Sequence, residues 1–505
     1  MTLPPQPDKK PSRPKYKAIQ RDRGEFTSLY IDHLIGADHP ARLIWKIVAD
    51  LDLSAFEKDV ASFEREVGRS RWSPQLLTSI LTYGYTLGTG SARELERLMA
   101  SDPGLRWLGA MEVVNHHTLS DFRVQKMESL QGILTQVLAL LANENLVDFA
   151  CLLQDGTKMR AQASPGSFHR EKTVSEHLAE AEACVTELDR RAAEENAADR
   201  SRTKKEAAQE RVARERLARM QAAKAELDRR MAATTPARRA DVRVSESEPE
   251  AGKMKHAHGG FLPSYNLQLV TEGLNGFVAG WTVTTSTNDL HELPAALAVA
   301  QTGTQTPAKK VIADAGYASR ENVEALAKDG IALVAPWLSD EKRQAGSTAR
   351  AGLKPAFATG KFVPAADEQS LTCPAGATLI FLNTGTHHDL PVRRYQADAQ
   401  VCATCAHKAD CSPGREARLV ERIIESEVMQ TYFRRMEDPV TQALYKKRSQ
   451  FAEFPNMKIK AVWGLDRFRL RGVDKVTKEA FWMVLAFTMD RWLLLRRQAA
   501  SAVAA

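Results

Sequence analysis

Residues 25–145 carry apolar side chains at the spacing of amphipathic helices. Residues 41–48 place them three and four positions apart, which predicts a first helix. A second helix is predicted after Ser73, because this N-cap residue is followed by Pro74, a residue favoured at the first helical position. The pattern indicates a helical N-terminal domain.

A further helix of this domain, expected at 118–123, has two open interpretations. It begins with Thr118 and Asp121 in the arrangement of a capping box and ends on Arg123. Short helices of this kind are typical of a helix-turn-helix-like DNA reader, in which Arg123 would contact DNA. A plain helical bundle explains the same pattern equally well.

After residue 145 the apolar runs predict strands and helices in alternation. Three strands are followed by a helix that should start near Asp289, with Glu292 as a capping partner. A strand, a helix from Ser319 and a final strand complete the series. The predicted strands are 148–154, 264–270, 276–283, 311–313 and 331–334. This order is that of an α/β protein with a ribonuclease-H-like core.

Acidic residues stand at chemically informative points of this pattern. Asp155 and Asp314 each follow an apolar run, and Glu453 lies in a basic segment at 445–453 that should be helical. Both aspartates should meet at one edge of the sheet, where α/β proteins bind ligands. Hard divalent cations prefer carboxylate oxygen, and two of them can clamp the attacking and leaving oxygens of a phosphoryl transfer.

Two long segments interrupt the predicted core. Residues 167–235 contain no Gly or Pro and repeat apolar residues at intervals of three and four, which predicts an antiparallel helical hairpin. Residues 337–437 contain four cysteines, namely Cys373, Cys402, Cys405 and Cys411. The two-residue gap between Cys402 and Cys405 suits a tetrahedral Zn²⁺ site, with His407 as an alternative ligand. Unliganded thiols are the other interpretation.

Composition and charge limit the classes of molecule that the protein is expected to bind. The formal net charge is +7 and the isoelectric point is about 9.0, which favours a polyanion such as nucleic acid. We expect no membrane partner, since no run of eighteen apolar residues occurs. The N-terminus lacks the apolar core of a signal peptide, so the cytoplasm is expected. Residues 1–24 are rich in Lys and Arg and should form a disordered arm.

Several short motifs together resemble one family. The chain resembles the DDE transposases of bacterial insertion sequences from about residue 38 to 497. Each motif is short, but their joint order is specific. The motifs are SARELE at 91–96, HTLSDFR at 117–123, DGTK at 155–158, YNLQ at 265–268, ADAGY at 313–317, the set Tyr445, Arg448, Glu453 and Lys460, and RFRLRG at 467–472.

The resemblance implies roles for individual residues. Asp155, Asp314 and Glu453 would be the catalytic acids and the ligands of two Mg²⁺ or Mn²⁺ ions. Tyr445, Arg448 and Lys460 would approach DNA near the third acid. In this chain Phe454 separates Glu453 from Pro455, and four residues separate Arg448 from Glu453, where relatives often have three.

A basic and aromatic segment follows Lys460. Arg467, Arg469 and Arg471 alternate with apolar residues such as Phe468. The arginines suit phosphate contact, and the aromatic residues suit either base stacking or the core.

The predicted domain organisation combines these elements around an α/β catalytic core. The expected units are a basic arm at 1–24, a helical DNA-binding domain at 25–145, the ribonuclease-H-like core at 146–336 and 438–472, a helical-hairpin insertion at 167–235, a Cys-rich insertion at 337–437, and a C-terminal helix at 473–505.

We expect a DNA transposase that cuts element ends and transfers the 3′-hydroxyl strand into target DNA. Its partners would be both DNAs and further copies of itself, as a homodimer or higher oligomer on DNA, in the nucleoid of a bacterial cytoplasm. One alternative is a nuclease of the same fold that does not transfer strands. The other is a domesticated DNA-binding protein without catalysis.

Overall fold

The computed structural model describes residues 29–57, 71–197, 203–256, 259–338 and 352–504. The predicted arm at 1–24 lies outside them. The α-helices are α1 Pro40–Ala49, α2 Pro74–Thr86, α3 Ala92–Leu98, α4 Pro103–Leu108, α5 His116–Arg123, α6 Met127–Asn143, α7 Glu171–Ala197, α8 Lys204–Ala232, α9 Leu293–Thr304, α10 Arg320–Lys328, α11 Ala399–Ala403, α12 Lys408–Cys411, α13 Glu427–Glu437, α14 Pro439–Lys446, α15 Arg448–Phe451, α16 Glu453–Met457 and α17 Val473–Ala504.

The strands and the remaining helical turns complete the described elements. The strands are β1 Cys151–Arg160, β2 Phe168–His169, β3 Val244–Ser245, β4 Gly252–Lys255, β5 Phe261–Glu272, β6 Val278–Thr284, β7 Lys310–Ala313, β8 Ala332–Val334, β9 Val363–Pro364, β10 Ser370–Thr372, β11 Thr378–His387, β12 Leu390–Ala397 and β13 Leu419–Ile423. The short 3₁₀ helices are Ile31–Leu34, Ser54–Phe56, Pro165–Ser167, Pro236–Asp241, Pro355–Phe357 and Thr359–Lys361, and a π-helical turn spans Lys458–Val462.

A mixed six-stranded sheet forms the centre of the molecule. Its strand order is β4-β5-β1-β7-β8, with β6 also paired to β5. Strand β1 is antiparallel to β5 and parallel to β7, and β7 is parallel to β8. Apart from the short strand β4, which the sequence did not predict, these strands and helices α9 and α10 follow the predicted order of three strands, a helix, a strand, a helix and a strand.

The length of β1 corrects one prediction. We expected the first strand to stop before Asp155, but β1 runs to Arg160 and contains Asp155. The pairing with β7 ends at Gln154 opposite Ala313, whereas the pairing with β5 continues to Arg160. Asp155 is therefore the first residue of β1 beyond its pairing with β7.

The N-terminal helices share a hydrophobic core with one face of this sheet and with α17. Leu81, Val137, Leu267 and Phe481 belong to this one cluster, and each is at most 1% exposed. Ser73 caps α2 through a 3.2 Å bond from the Leu76 N–H, and Pro74 is its first residue, as predicted. The predicted capping box at Thr118 is wrong, because α5 begins at His116 and its cap is Asn115.

Helices α7 and α8 lie antiparallel within the segment 167–235. Ion pairs join Arg214 to Asp189 and Lys224 to Glu171. The later residue of α8 therefore pairs with the earlier residue of α7, as antiparallel helices require. Between the helices, Val174 and Leu227 are fully buried.

The segment between β8 and α14 contains a separate antiparallel sheet. Its strand order is β13-β12-β11-β10-β9. Phe362, Leu371, Leu379 and Val420 form its small core, against which Cys373, Cys402 and Cys411 pack.

Helix α9 starts later than its capping pattern predicted. It begins at Leu293, and the Glu292 side chain makes no capping bond. Pro294 fits at the second position because a first-turn N–H has no partner within the helix. Asp289 is therefore not the cap of this helix, and its carboxylate bonds elsewhere.

Candidate active site

The two aspartates come together because of how β1 and β7 pair. Asp155 follows the last residue of β1 that pairs with β7, and Asp314 is the first residue after β7. Parallel pairing places both at the same edge of the sheet. The Gly316 N–H donates a 2.7 Å hydrogen bond to Asp314 Oδ1, which orients this carboxylate from its own turn.

Asp155 is a buried acid with two polar partners. Its side chain is 15% exposed, Arg448 Nη1 lies 3.3 Å from Oδ1, and Asn456 Nδ2 donates to Oδ2 over 2.9 Å. The pKa of Asp155 is raised to about 6: burial is the largest cause, Arg448 and Asn456 lower it, and the charges of Asp314 and Glu453 raise it. Both of the other predicted acids are therefore close enough to Asp155 to affect it electrostatically.

Arg448 connects Asp155 to the third acid. Its Nη2 lies 2.6 Å from Glu453 Oε1, while its Nη1 contacts Asp155. Glu453 is 49% exposed and Arg448 is 14% exposed, so the pair extends from the interior to the surface. Over the described ranges, no three His, Cys, Asp or Glu side chains form a ready-made metal-ligand group. The positive charge between Asp155 and Glu453 is that of Arg448.

The helical segment around Glu453 accommodates its proline. Pro455 lies in the first turn of α16, where a missing N–H removes no helical hydrogen bond. Asn456 is a site residue that we did not predict from the sequence. Its position one helical turn after Glu453 was the available signal, because residues three apart share a helix face.

Lys460 lies in the π-helical turn and is fastened to the outer part of β1. Its Nζ donates to Thr157 Oγ1 over 2.9 Å and to the Lys158 carbonyl over 3.0 Å. Burial lowers its pKa. Tyr445 packs beside the buried residues Leu153 and Ala452. The structure thus brings Arg448, Lys460 and Tyr445 to the region of the acids.

Arg123 is buried, which argues against the predicted DNA contact. It is 5% exposed, and its Nη1 donates to the Gly90 carbonyl. The Trp482 indole N–H in turn donates to the Arg123 carbonyl over 3.0 Å. A guanidinium enclosed between α5 and α17 stabilises helix packing and presents no surface to DNA.

The basic segment after Lys460 has an exposed and a buried side. Arg467, Arg469 and Arg471 are exposed, whereas Phe468 is fully buried and packs edge-on against Tyr265. Of the two interpretations for its aromatic residues, the structure places Phe468 in the core. Buried Glu479 accepts hydrogen bonds from the backbone N–H groups of Arg469 and Leu470. The arginines are therefore presented from an anchored loop.

The four cysteines of the predicted insertion surround one cavity of about 230 Å³. Burial raises the pKa of Cys411, and the nearby Cys373, Cys402 and Cys405 thiols raise it further. The Ala377 N–H donates to Cys373 Sγ over 3.2 Å. The ring of His407, the alternative ligand, packs against Phe357 in a tilted arrangement with 5.3 Å between the ring centroids. We refer to Cys373, Cys402, Cys405 and Cys411 as the cysteine cluster.

The comparisons with known proteins identify the family of the chain. A family model described as Transposase DDE domain matches residues 235–489, half of the chain. A second model, described as Transposase domain (DUF772), matches residues 29–125. The chain belongs to the transposase DDE domain family, and it is a DNA transposase. Asp314 and Glu453 lie inside the first match, and Asp155 precedes it.

Two further findings concern similarity to curated proteins and helices that could span a membrane. No curated protein matches the chain. Across the described parts of the chain, none of the helices has the length and apolar character needed to cross a membrane.

Proposed function

We propose that this transposase cuts DNA at the ends of its element and joins the freed 3′-hydroxyl to target DNA at a site formed by Asp155, Asp314 and Glu453. The observation that carries this proposal is the placement of Asp155 and Asp314 at neighbouring strand positions, with Glu453 joined to Asp155 through Arg448.

The donor set fits hard divalent cations. Three carboxylates offer the oxygen ligands that Mg²⁺ and Mn²⁺ prefer, and they would hold two such ions. When bound, these ions would supply charge stabilisation and in-line positioning for phosphoryl transfer. Burial is the main cause of the raised pKa of Asp155, and the charges of Asp314 and Glu453 add to it; bound cations would relieve this repulsion.

The neighbouring side chains have separate tasks in this proposal. Asn456 orients Asp155 through its 2.9 Å hydrogen bond. Arg448 offsets part of the negative charge of Asp155 and Glu453, and it would transfer its contact to a DNA phosphate. Lys460, which is bonded to Thr157, and Tyr445, which lies near Arg448, would position the strand being cut.

A wider surface would hold the DNA. Exposed Arg467, Arg469 and Arg471 are suited to phosphate contacts beside the site. The helical region predicted at 25–145 would bind the element ends, and the protein would act as a homodimer or higher oligomer on DNA. We also propose the domain boundaries predicted from the sequence, including those of the hairpin insertion and the Cys-rich insertion.

Strand transfer separates a transposase reaction from simple hydrolysis. The test supplies a pre-cut element end with a free 3′-hydroxyl, a target plasmid and Mg²⁺. Joined products support the proposal. Cleavage of uncut ends without any joining would favour the nuclease alternative, and DNA binding without either reaction would favour the domesticated, non-catalytic alternative.

We further propose that the cysteine cluster holds one structural Zn²⁺. Cys402, Cys405 and Cys411, which are close in sequence, and the more distant Cys373 line one cavity, and an N–H group already donates to the sulfur of Cys373. Amide donors of this kind stabilise thiolates and fix ligand orientation. Since the described thiols do not form a ready-made ligand group, binding would draw them closer together.

A further inference from the structure

The two faces of β1 at the site carry different residues. Asp155 and Thr157 point toward Asn456 and Lys460. Gly156 and Lys158 lie on the opposite face, where their β5 partners are Gln268 and Asn266. This second face contains a buried polar cluster that the proposed reaction does not use.

Asp289 is the centre of that cluster. Its Oδ1 accepts hydrogen bonds from Asn266 Nδ2 at 2.7 Å, from Gln268 Nε2 at 2.8 Å and from Lys158 Nζ at 3.1 Å. Asn266 and Gln268 are fully buried, so their amides depend on protein partners. A helix cap would need none of these contacts, and α9 begins without one from Asp289.

The cluster fills the space that Gly156 leaves. A Cβ atom at Gly156 would lie 2.4 Å from Gln268 Nε2, 2.8 Å from Asp289 Oδ1 and 3.0 Å from the Tyr317 hydroxyl. These distances are below van der Waals contact. The polar side chains therefore lie against the backbone of Gly156, the residue that follows Asp155, and occupy the space that a Cβ atom would need.

Tyr317 extends the cluster to the other aspartate. Its hydroxyl donates to Gln268 Oε1, and Gln154 Nε2 donates to the same oxygen over 3.0 Å. The Tyr317 backbone N–H donates to the Asp314 carbonyl over 3.2 Å, and its ring is fully buried. A continuous set of hydrogen bonds thus joins Asp289 to the turn that carries Asp314.

We infer that Asp289 is a positioning residue that sets the separation of Asp155 and Asp314 through Gln268, Tyr317 and the Gly156 backbone. The inference rests on the proposed metal site and deepens it. Without the carboxylate, the amides of Asn266 and Gln268 lose their common acceptor, and Gln268 no longer holds the Tyr317 hydroxyl in one place. The two aspartates would then be less well pre-arranged to share cations.

Binding of Mn²⁺ to the full-length protein, followed by the paramagnetic resonance of the free ion, tests this inference apart from activity. Asp289→Asn keeps the shape of the side chain but weakens its acceptor. We expect it to lower Mn²⁺ affinity about 10- to 100-fold, the usual cost of losing a residue that supports metal ligands. The melting temperature and the affinity for element-end DNA should stay within error of the parent.

Matched variants make the result specific. Asp241→Asn removes an exposed carboxylate paired with Arg170 and should leave Mn²⁺ binding unchanged. Tyr317→Phe should weaken Mn²⁺ binding, and the double variant with Asp289→Asn should be little worse than either single change, because both act through Gln268.

Each outcome separates the inference from the function on which it rests. Loss of Mn²⁺ binding in Asp155→Asn, with unchanged binding in Asp289→Asn, would overturn the inference and leave the metal site intact. Complete loss in Asp289→Asn, equal to that in Asp155→Asn, would make Asp289 a ligand and also overturn the positioning role. Unchanged binding in Asp155→Asn would contradict the proposed site itself.

Discussion

The acid site brings three carboxylates together and the cysteine cluster brings four thiols together, but the surroundings of the two groups differ. At the acid site, the charge of Asp155 and Glu453 is met by Arg448, a side chain able to leave, and Glu453 is half exposed. The cysteines face a cavity lined largely by apolar residues such as Phe357 and Leu379. At the acid site, the contacts of Arg448 can be exchanged for contacts with cations and DNA. The cavity of the cysteine cluster suits one permanently bound metal ion.

The largest expected effect separates the two sites by function. Asp155→Asn or Asp314→Asn should abolish cleavage of element-end DNA, because each removes a charged ligand while the shape of the side chain is kept. DNA binding, measured by mobility shift, should survive. Asp228→Asn, at an exposed carboxylate paired with Lys224, is the control and should cleave normally. Retained cleavage in either active-site variant would remove that aspartate from the site.

Glu453 provides a sharper test because it is the most exposed of the three acids. Glu453→Gln should lower the cleavage rate by orders of magnitude and leave the fold intact, since Gln and Glu have similar helix propensities. Glu437→Gln, at the end of α13, should have little effect. The opposite pattern, with Glu437 required and Glu453 dispensable, would show that the third acid is misassigned.

The sequence singled out Asp155, Asp314 and Glu453, which the structure brings together, but it did not predict their surroundings; their role as the catalytic acids stays a prediction. Asp155, Asp314 and Glu453 could be found because apolar runs and basic neighbours mark them locally. Burial of Arg123 could not be predicted, since it depends on α17, which lies more than 300 residues later in the chain. The contacts of Asp289 were not predicted for a similar reason: its pattern fits a helix cap, whereas its partners come from β1 and β5.

The order of strands and helices in the core could also be predicted from the sequence. Alternation of strands and helices is encoded in local periodicity. The end of β1 was not, because Asp155 and Gly156 interrupt the apolar run while β5 continues to pair with them. Pairing across the sheet therefore decided where this strand ends.

The cysteine cluster should respond to changes that leave the acid site unaffected. Purified protein should contain about one zinc per chain by elemental analysis. Cys405→Ser should remove this zinc and lower the melting temperature, whereas Cys184→Ser, at an exposed thiol on α7, should do neither. A zinc-free parent protein whose melting temperature is unchanged by chelators would contradict the zinc proposal.

The smallest effects should come from single arginines. Arg467→Ala, at an exposed position, should weaken DNA binding and reduce the salt dependence by about one phosphate contact.

Arg123→Ala should instead destabilise the fold by about 1–3 kcal/mol, because the buried Gly90 carbonyl loses its donor. Urea unfolding and salt titrations of DNA binding measure the two effects. Equal loss of DNA affinity without loss of stability in Arg123→Ala would restore the DNA-reading role of α5.

The most direct test of the central claim is a crystal structure of the protein with element-end DNA and Mn²⁺, with the metal located by anomalous scattering. We expect manganese peaks among the carboxylates of Asp155, Asp314 and Glu453, with Arg448 moved from Asp155 to a DNA phosphate. Manganese bound elsewhere on the chain, with Arg448 still joining Asp155 to Glu453 beside the DNA, would contradict the account.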